Sequence, residues 1–192
     1  EQPKDLAARE IQVRLGATWL DKKYIEQFMY ETFETPRYLR GQIEISYVPY
    51  TAEWQVSRKS MVRYNDVAAF TTYGTDRASA YRLLEDALNL RDIRIYDTIE
   101  DADGRERRVL NAKETTLAAQ KQQLIRDAFK DWIWKDPERR ETLVRQYNEE
   151  MNSTRPREYD GSHIVFSGMN PEITLREQQK NAIAPVLYGG NT

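Results

Sequence analysis

The sequence predicts an α+β fold, with helices packed on a small, mainly antiparallel sheet and a helical C-terminal arm. Three observations predict it. Apolar residues recur at helical spacing in several stretches, alternate with polar ones in others, and turn-forming residues separate the two kinds. At 192 residues the chain is long enough for one domain with an extension. Its 12 Tyr and 4 Trp argue for a packed core, because disordered segments are poor in aromatics.

Leu6, Ala7, Ile11 and Leu15 lie near helical spacing, so a first helix is expected to stop at Gly16. Asp21 is placed to cap a second helix, with Tyr24, Ile25, Phe28, Met29 and Phe33 on one face and Pro36 beyond its end. The period then changes: Ile43, Ile45 and Tyr47 alternate with Glu44 and Ser46, as in a half-buried strand. Pro49 to Glu53 would turn the chain into a second strand holding Trp54 and Val56. Thr75 is the expected cap of a third helix, whose stripe is Ala80, Leu83, Leu84, Ala87 and Leu88. Ile93, Ile95 and Ile99 suit another strand, joined through a two-residue Asp103-Gly104 turn to a return strand at Arg107–Leu110.

Asn111, with Glu114 three residues on, resembles a capping box. It opens the strongest helix, with Leu117, Leu124, Ile125, Ala128, Phe129, Trp132 and Ile133 on one face. Trp132 is expected inside, and Trp134, roughly 200° further around the helix, more exposed. Asp136-Pro137 ends that helix and starts the next, which should run to about Glu150. From Met151 the pattern fades into a loop with one short apolar run, Ile164 to Phe166. A last amphipathic helix follows from about Thr174 to Gly189. The domain reading is therefore 1–150 for the α+β body and 151–192 for a loop and helical arm.

Composition excludes several chemistries. The chain has no Cys, hence no disulfide, thiolate zinc site or cysteine nucleophile. His163 is the only histidine, so neither a histidine metal cluster nor a serine–histidine triad can be assembled within one chain. No G-x-G-x-x-G motif and no phosphate loop occurs. The acids Glu100, Asp101 and Asp103 read as a solvated hairpin tip. No apolar run approaches the roughly 20 residues of a membrane span, and the chain start lacks a signal-peptide pattern. A cytoplasmic protein without membrane contact is the expectation.

A net charge of -2 advertises no strong field for nucleic acid, so DNA contact must come from local patches. The first candidate mixes rings that stack on bases with cations that hold phosphates: Trp54, Arg58, Lys59, Arg63 and Tyr64, with Tyr47, Tyr50 and Tyr73 nearby. Its bland counterpart is a sheet with an aromatic core and a cationic wet face. The second candidate is Arg105, Arg107 and Arg108 on the hairpin, opposed by Glu106 and the acids before it. Arg155-Pro156-Arg157 reads as a docked linker.

Three segments carry a family resemblance. They are Arg14-Leu-Gly-Ala-Thr-Trp19 with Tyr24-Ile-Glu-Gln-Phe-Met29; Asp131 to Arg140 with Arg155 to His163; and Leu175-Arg-Glu-Gln-Gln179 leading to Leu187-Tyr-Gly-Gly-Asn-Thr192. Together they resemble the very large helicase-methylase proteins of conjugative elements and phages. In these, an adenine-specific DNA methyltransferase region precedes a Swi/Snf-type superfamily 2 helicase.

The resemblance implies that this chain is the module between the two, with the methylase motif upstream of Glu1 and the ATP-binding Walker A loop just beyond Thr192. It implies a non-catalytic DNA-binding or DNA-positioning role, with no cofactor bound by these residues. ATP with Mg and S-adenosylmethionine would serve the parent protein, and the methylase and helicase regions would be intramolecular partners. The alternative is a structural spacer that docks the two without touching DNA. Leu175-Arg176-x-x-Gln179 is similar to the helicase segment whose glutamine reads the adenine edge, which implies that Gln179, with Arg176, binds nucleotide in the parent protein.

Overall fold

The computed structural model describes residues 3–152 and 176–188, with side chains up to residue 183 in the second stretch. Expectations for Arg155-Pro156-Arg157, His163 and Ile164–Phe166 lie outside the described residues. Residues Asp5–Met151 form one compact unit, and α5 (Glu177–Tyr188) belongs to a second. The first unit is α+β. Its order is α1 (Lys22–Thr32), β1 (Ile45–Val48), β2 (Glu53–Val56), α2 (Ala80–Leu88), β3 (Tyr96–Glu100), β4 (Glu106–Leu110), α3 (Ala112–Lys135) and α4 (Pro137–Glu150). The strands pair as two separate antiparallel ribbons, β1 with β2 and β3 with β4.

Local capping explains where most helices begin. The Asp21 carboxylate accepts from Lys23 N at 2.9 Å, Asn111 Oδ1 from Glu114 N at 3.0 Å, and Asp136 Oδ1 from Arg139 N at 2.7 Å, with Pro137 at the first position of α4. The expected cap of α2 is wrong by four residues. Ser79, not Thr75, accepts from the first turn, at Arg82 N. Thr75 instead closes a turn of its own, its Oγ1 accepting from Arg77 N and Ala78 N, a local alternative to the helix.

The first predicted helix is also absent. Beyond a single 3₁₀ turn at Ala8–Glu10 the chain is extended, with Ile11, Val13 and Leu15 buried and Gln12 and Arg14 exposed. That period of two overrides the fourfold spacing that also fits the segment. Gly16 then turns at φ +83° against α2, where a Cβ would sit 2.2 Å from the Leu88 carbonyl oxygen.

The core gathers α1, α2 and α3 around one aromatic cluster. Phe28 meets Phe129 and Trp132 edge-on at 5.1 and 5.6 Å, and Phe33 meets Tyr81 at 5.3 Å. The buried face of α3 is Ala118, Gln122, Ile125, Phe129 and Ile133, whereas Leu117 and Leu124 are 42% and 44% exposed, contrary to expectation. Gln122 takes the core position because it ties elements together. Its Nε2 donates to Leu83 O and Arg91 O, and its Oε1 accepts from Ile93 N. Trp132 and Trp134 are both half-buried, and the Trp132 indole N–H donates to Glu31 at 2.7 Å.

Helix side chains close both edges of the β1–β2 ribbon. Glu26 of α1 accepts from Ile45 N at 2.9 Å, and Glu85 of α2 accepts from Val56 N at 2.8 Å. Asn89 imitates a neighbouring strand, accepting from Trp54 N and donating to Trp54 O, each at 2.8 Å. The outer edge of β2 is thus bonded at both Trp54 and Val56, and that of β1 at Ile45, which leaves the ribbon little edge for pairing. The β3–β4 ribbon is treated otherwise.

Candidate nucleic-acid interface

The first predicted patch comes apart when its residues are placed. Trp54 is 6% exposed and packs on Tyr47 at 5.0 Å between ring centroids, so it is a core residue and has no face for a base. Lys59 pairs with Glu85 at 2.5 Å, in the cluster that seals β2. Both corrections share one cause: α2, which lies more than twenty residues downstream of these positions, supplies their partners. What remains is the stretch between β2 and the π turn Ala68–Thr72. There Arg58, Arg63 and Tyr64 are exposed. Arg58 sits in the left-handed region at φ +48°, and Tyr64, 79% exposed, stacks on Phe70 at 4.9 Å. The π turn is held at its end by Lys121, whose ammonium donates to Thr71 O and Thr72 O.

The hairpin patch has more definite geometry. The Arg77 guanidinium anchors the ribbon's base, donating to Asp97 at 2.8 Å and to Tyr96 O at 3.0 Å, while Asn111 donates to Asp97 at 2.7 Å. These bonds from Arg77 and Asn111 hold the Asp97 carboxyl below its usual range. Above the base, no other element hydrogen-bonds to Thr98–Glu100 or to β4 among the described residues, and β4 is exposed along its whole length. Arg108 lies over the Tyr96 ring at 4.7 Å. The expected two-residue turn is instead the longer connection 101–105. Asp101 Oδ1 accepts from Asp103 N and Arg105 N there, and Gly104 adopts φ +75°.

Ion pairing sorts the cations. Lys59, Arg77, Arg91 and Arg126 each face a carboxylate, whereas Arg58, Arg63, Arg105 and Arg107 form no ion pair among the described residues. In the second unit, Gln179 uses its Oε1 to accept from Arg176 N at 2.9 Å, bracing the first turn of α5, and both side chains are exposed. Among the described residues no group of three or more His, Asp or Glu is placed to hold a metal, and no helix is long and apolar enough to cross a membrane.

One further feature of the first unit has no motif in the sequence. A groove of about 890 Å³ opens beside the extended start of the chain, lined by Arg14, Gly16 and Trp19 on one side and Lys130, Trp134 and Tyr147 on the other. Trp19 meets Tyr147 edge-on at 5.2 Å, and Gln146 Nε2 donates to Trp19 O at 3.0 Å, which fixes this wall to α4. The available signal was the pairing of Trp19 and Trp134 with nearby cations, scattered over more than a hundred positions.

Fold and surface together define a class: an α+β domain with one ribbon bonded to its helices, one open ribbon, and arginines on two exposed segments that form no ion pair among the described residues. The chain belongs to the family described as Domain of unknown function (DUF8437), which matches residues 14–153. No curated protein and no solved structure matches it.

Proposed function

We propose that this domain is a non-catalytic DNA-positioning module of a helicase-methylase protein, contacting duplex DNA through the open β3–β4 ribbon and the exposed 58–64 segment. The observation that carries the reading is the ribbon, anchored at its base and uncovered above it. A two-stranded ribbon fits a major groove about 12 Å wide. Arg107 and Arg108 lie on opposite faces of β4, because successive strand residues alternate. The acidic tip, with Glu100, Asp101, Asp103 and Glu106, directs contact to the flank of the ribbon. The resemblance of the chain to helicase-methylase proteins supplies the setting, and in that setting Gln179 would leave Arg176 N to meet adenine.

The spacer reading has its own support. Ile99, Val109 and Leu110 are exposed on the same ribbon, with Ile99 at 48%. Such apolar side chains suit a protein partner as well as a groove.

Salt-dependent binding of a duplex separates the two, since each neutralised phosphate contributes about 0.9 to the slope of log affinity against log salt. The variant carrying Arg58→Ala, Arg63→Ala, Arg107→Ala and Arg108→Ala should bind more weakly at low salt and flatten that slope by up to about 3.6. Equal binding by variant and wild type would move the contact elsewhere. No binding by wild type at low salt would favour the spacer.

A further inference from the structure

We infer that the groove between the extended start of the chain and helices α3 and α4 binds single-stranded nucleic acid, one base lodging against Trp19 and Trp134 and the flanking phosphates meeting Arg14 and Lys130. This goes beyond the duplex contact proposed for the ribbon and uses none of its residues.

The chemistry of the lining selects the ligand. The grooves beside β2 and beside the α3–α4 junction each include carboxylates, Glu53 and Glu85 in one, Glu31 and Asp136 in the other. The lining of this one contains two cations and no carboxylate, in a chain whose acids outnumber its bases. In the other two grooves the carboxylates are matched by cations, Lys59 and Arg91 in one and Lys135 and Arg139 in the other, so only the groove beside Trp19 has a lining of net positive charge to draw an anion. Arg14 is exposed and unpaired among the described residues. Lys130 lies only 3.7 Å from the equally exposed Asp127, a weak pair that a phosphate displaces readily.

The lining also offers flat apolar surface. Trp19, Trp134 and Tyr147 are all half-buried, so each is held in place by the core and still presents part of its ring to the groove. Gly16 and Ala17 add little bulk to the lining, leaving a volume that accepts a planar base. Rings that stack, flanked by cations that neutralise a backbone, are the combination by which single strands are held without sequence preference. A duplex has its bases already stacked and cannot supply one to this groove.

The test is a tryptophan-fluorescence titration of the full chain with two probes, an oligo-dT strand of about twelve nucleotides and free dAMP. The strand should quench the signal, and Trp134→Phe should remove a large share of the quenching. The double variant Arg14→Glu, Lys130→Glu should bind the strand at least about tenfold more weakly, and its salt slope should flatten by about 1.4, twice the single-strand increment. Both charged side chains are exposed, so the variant should keep the wild-type circular dichroism. Quenching by dAMP alone would keep the groove as a nucleotide site and overturn the polymer. Failure of both probes, or strand binding unchanged by the charge reversal, would overturn the site itself. Because neither probe is a duplex, this outcome is independent of the ribbon test.

Discussion

Tyr81 has no exposed surface, and its hydroxyl lies 2.7 Å from Thr35 Oγ1, itself buried. Burial opposes a phenolate more strongly than the Thr35 hydrogen bond favours it, so the phenol is pushed up to about 12. A folded-state value above the unfolded one, about 10, stabilises the fold fully below pH 10 and loses that contribution as pH rises from 10 towards 12. The difference amounts to about 2–3 kcal/mol. Tyr81→Phe should cost about 1 kcal/mol near neutrality, because Thr35 Oγ1 keeps only its long bond to Met29 O. In exchange, the variant should lose markedly less stability than wild type between about pH 9 and pH 12, measured by urea midpoints. Parallel losses in the two proteins would mean that Tyr81 does not govern the alkaline limb.

Arg139 shows how one side chain joins two helices. Its guanidinium donates to Ile133 O at 3.0 Å and Trp132 O at 2.6 Å, and it lies over the Trp132 ring at 3.6 Å. It satisfies carbonyls at the end of α3 that have no partner within the helix, where the dipole also favours a cation. Arg139→Leu should therefore cost about 2–4 kcal/mol, from lost charge-assisted bonds and cation–π contact. A thermal midpoint unchanged from wild type would contradict that role. Such long-reach ties mark the limit of what the sequence makes legible. Asp21, Asn111 and Asp136-Pro137 announce their helices because a cap bonds within three residues of itself. The stripe of α2 is legible because its period is local. Thr75 and Ser79 are equally good caps by type, and only the competing turn decides between them. Trp54 and Lys59 look like a binding patch until Asn89 and Glu85 arrive from α2. Arg58, Arg63 and Arg107 are visible in the sequence as cations, but that they form no ion pair among the described residues is a tertiary property. Gln122, polar by type and buried by contact, could not be placed by hydrophobic pattern at all.

The first unit is stitched closed from end to end. Its buried residues run from Ile11 to Leu143, all within Asp5–Met151. Leu6 N donates to Asn148 Oδ1 at 2.8 Å and Asn148 Nδ2 donates to Leu6 O at 3.0 Å, so the start of the chain is bonded to α4 as one strand is to another. Two consequences follow for truncated chains. Residues 1–152 should unfold in one cooperative transition, with equal calorimetric and van't Hoff enthalpies near 100 kcal/mol, the scale for roughly 150 residues. A chain beginning at Arg14, where the family match begins, should fare much worse. It lacks Ile11 and Val13, which are 4% and 6% exposed, and the Leu6–Asn148 bridge. Burying each side chain is worth about 1.5–3 kcal/mol, so with the lost hydrogen bonds the deficit reaches about 4–8 kcal/mol. That is comparable to the whole stability of a typical domain, about 5–15 kcal/mol. The shorter chain should thus melt far below the longer one or fail to fold, and the groove beside Trp19 would lose one wall. Equal urea midpoints for the two chains would show that the extended segment lies on the core without holding it together.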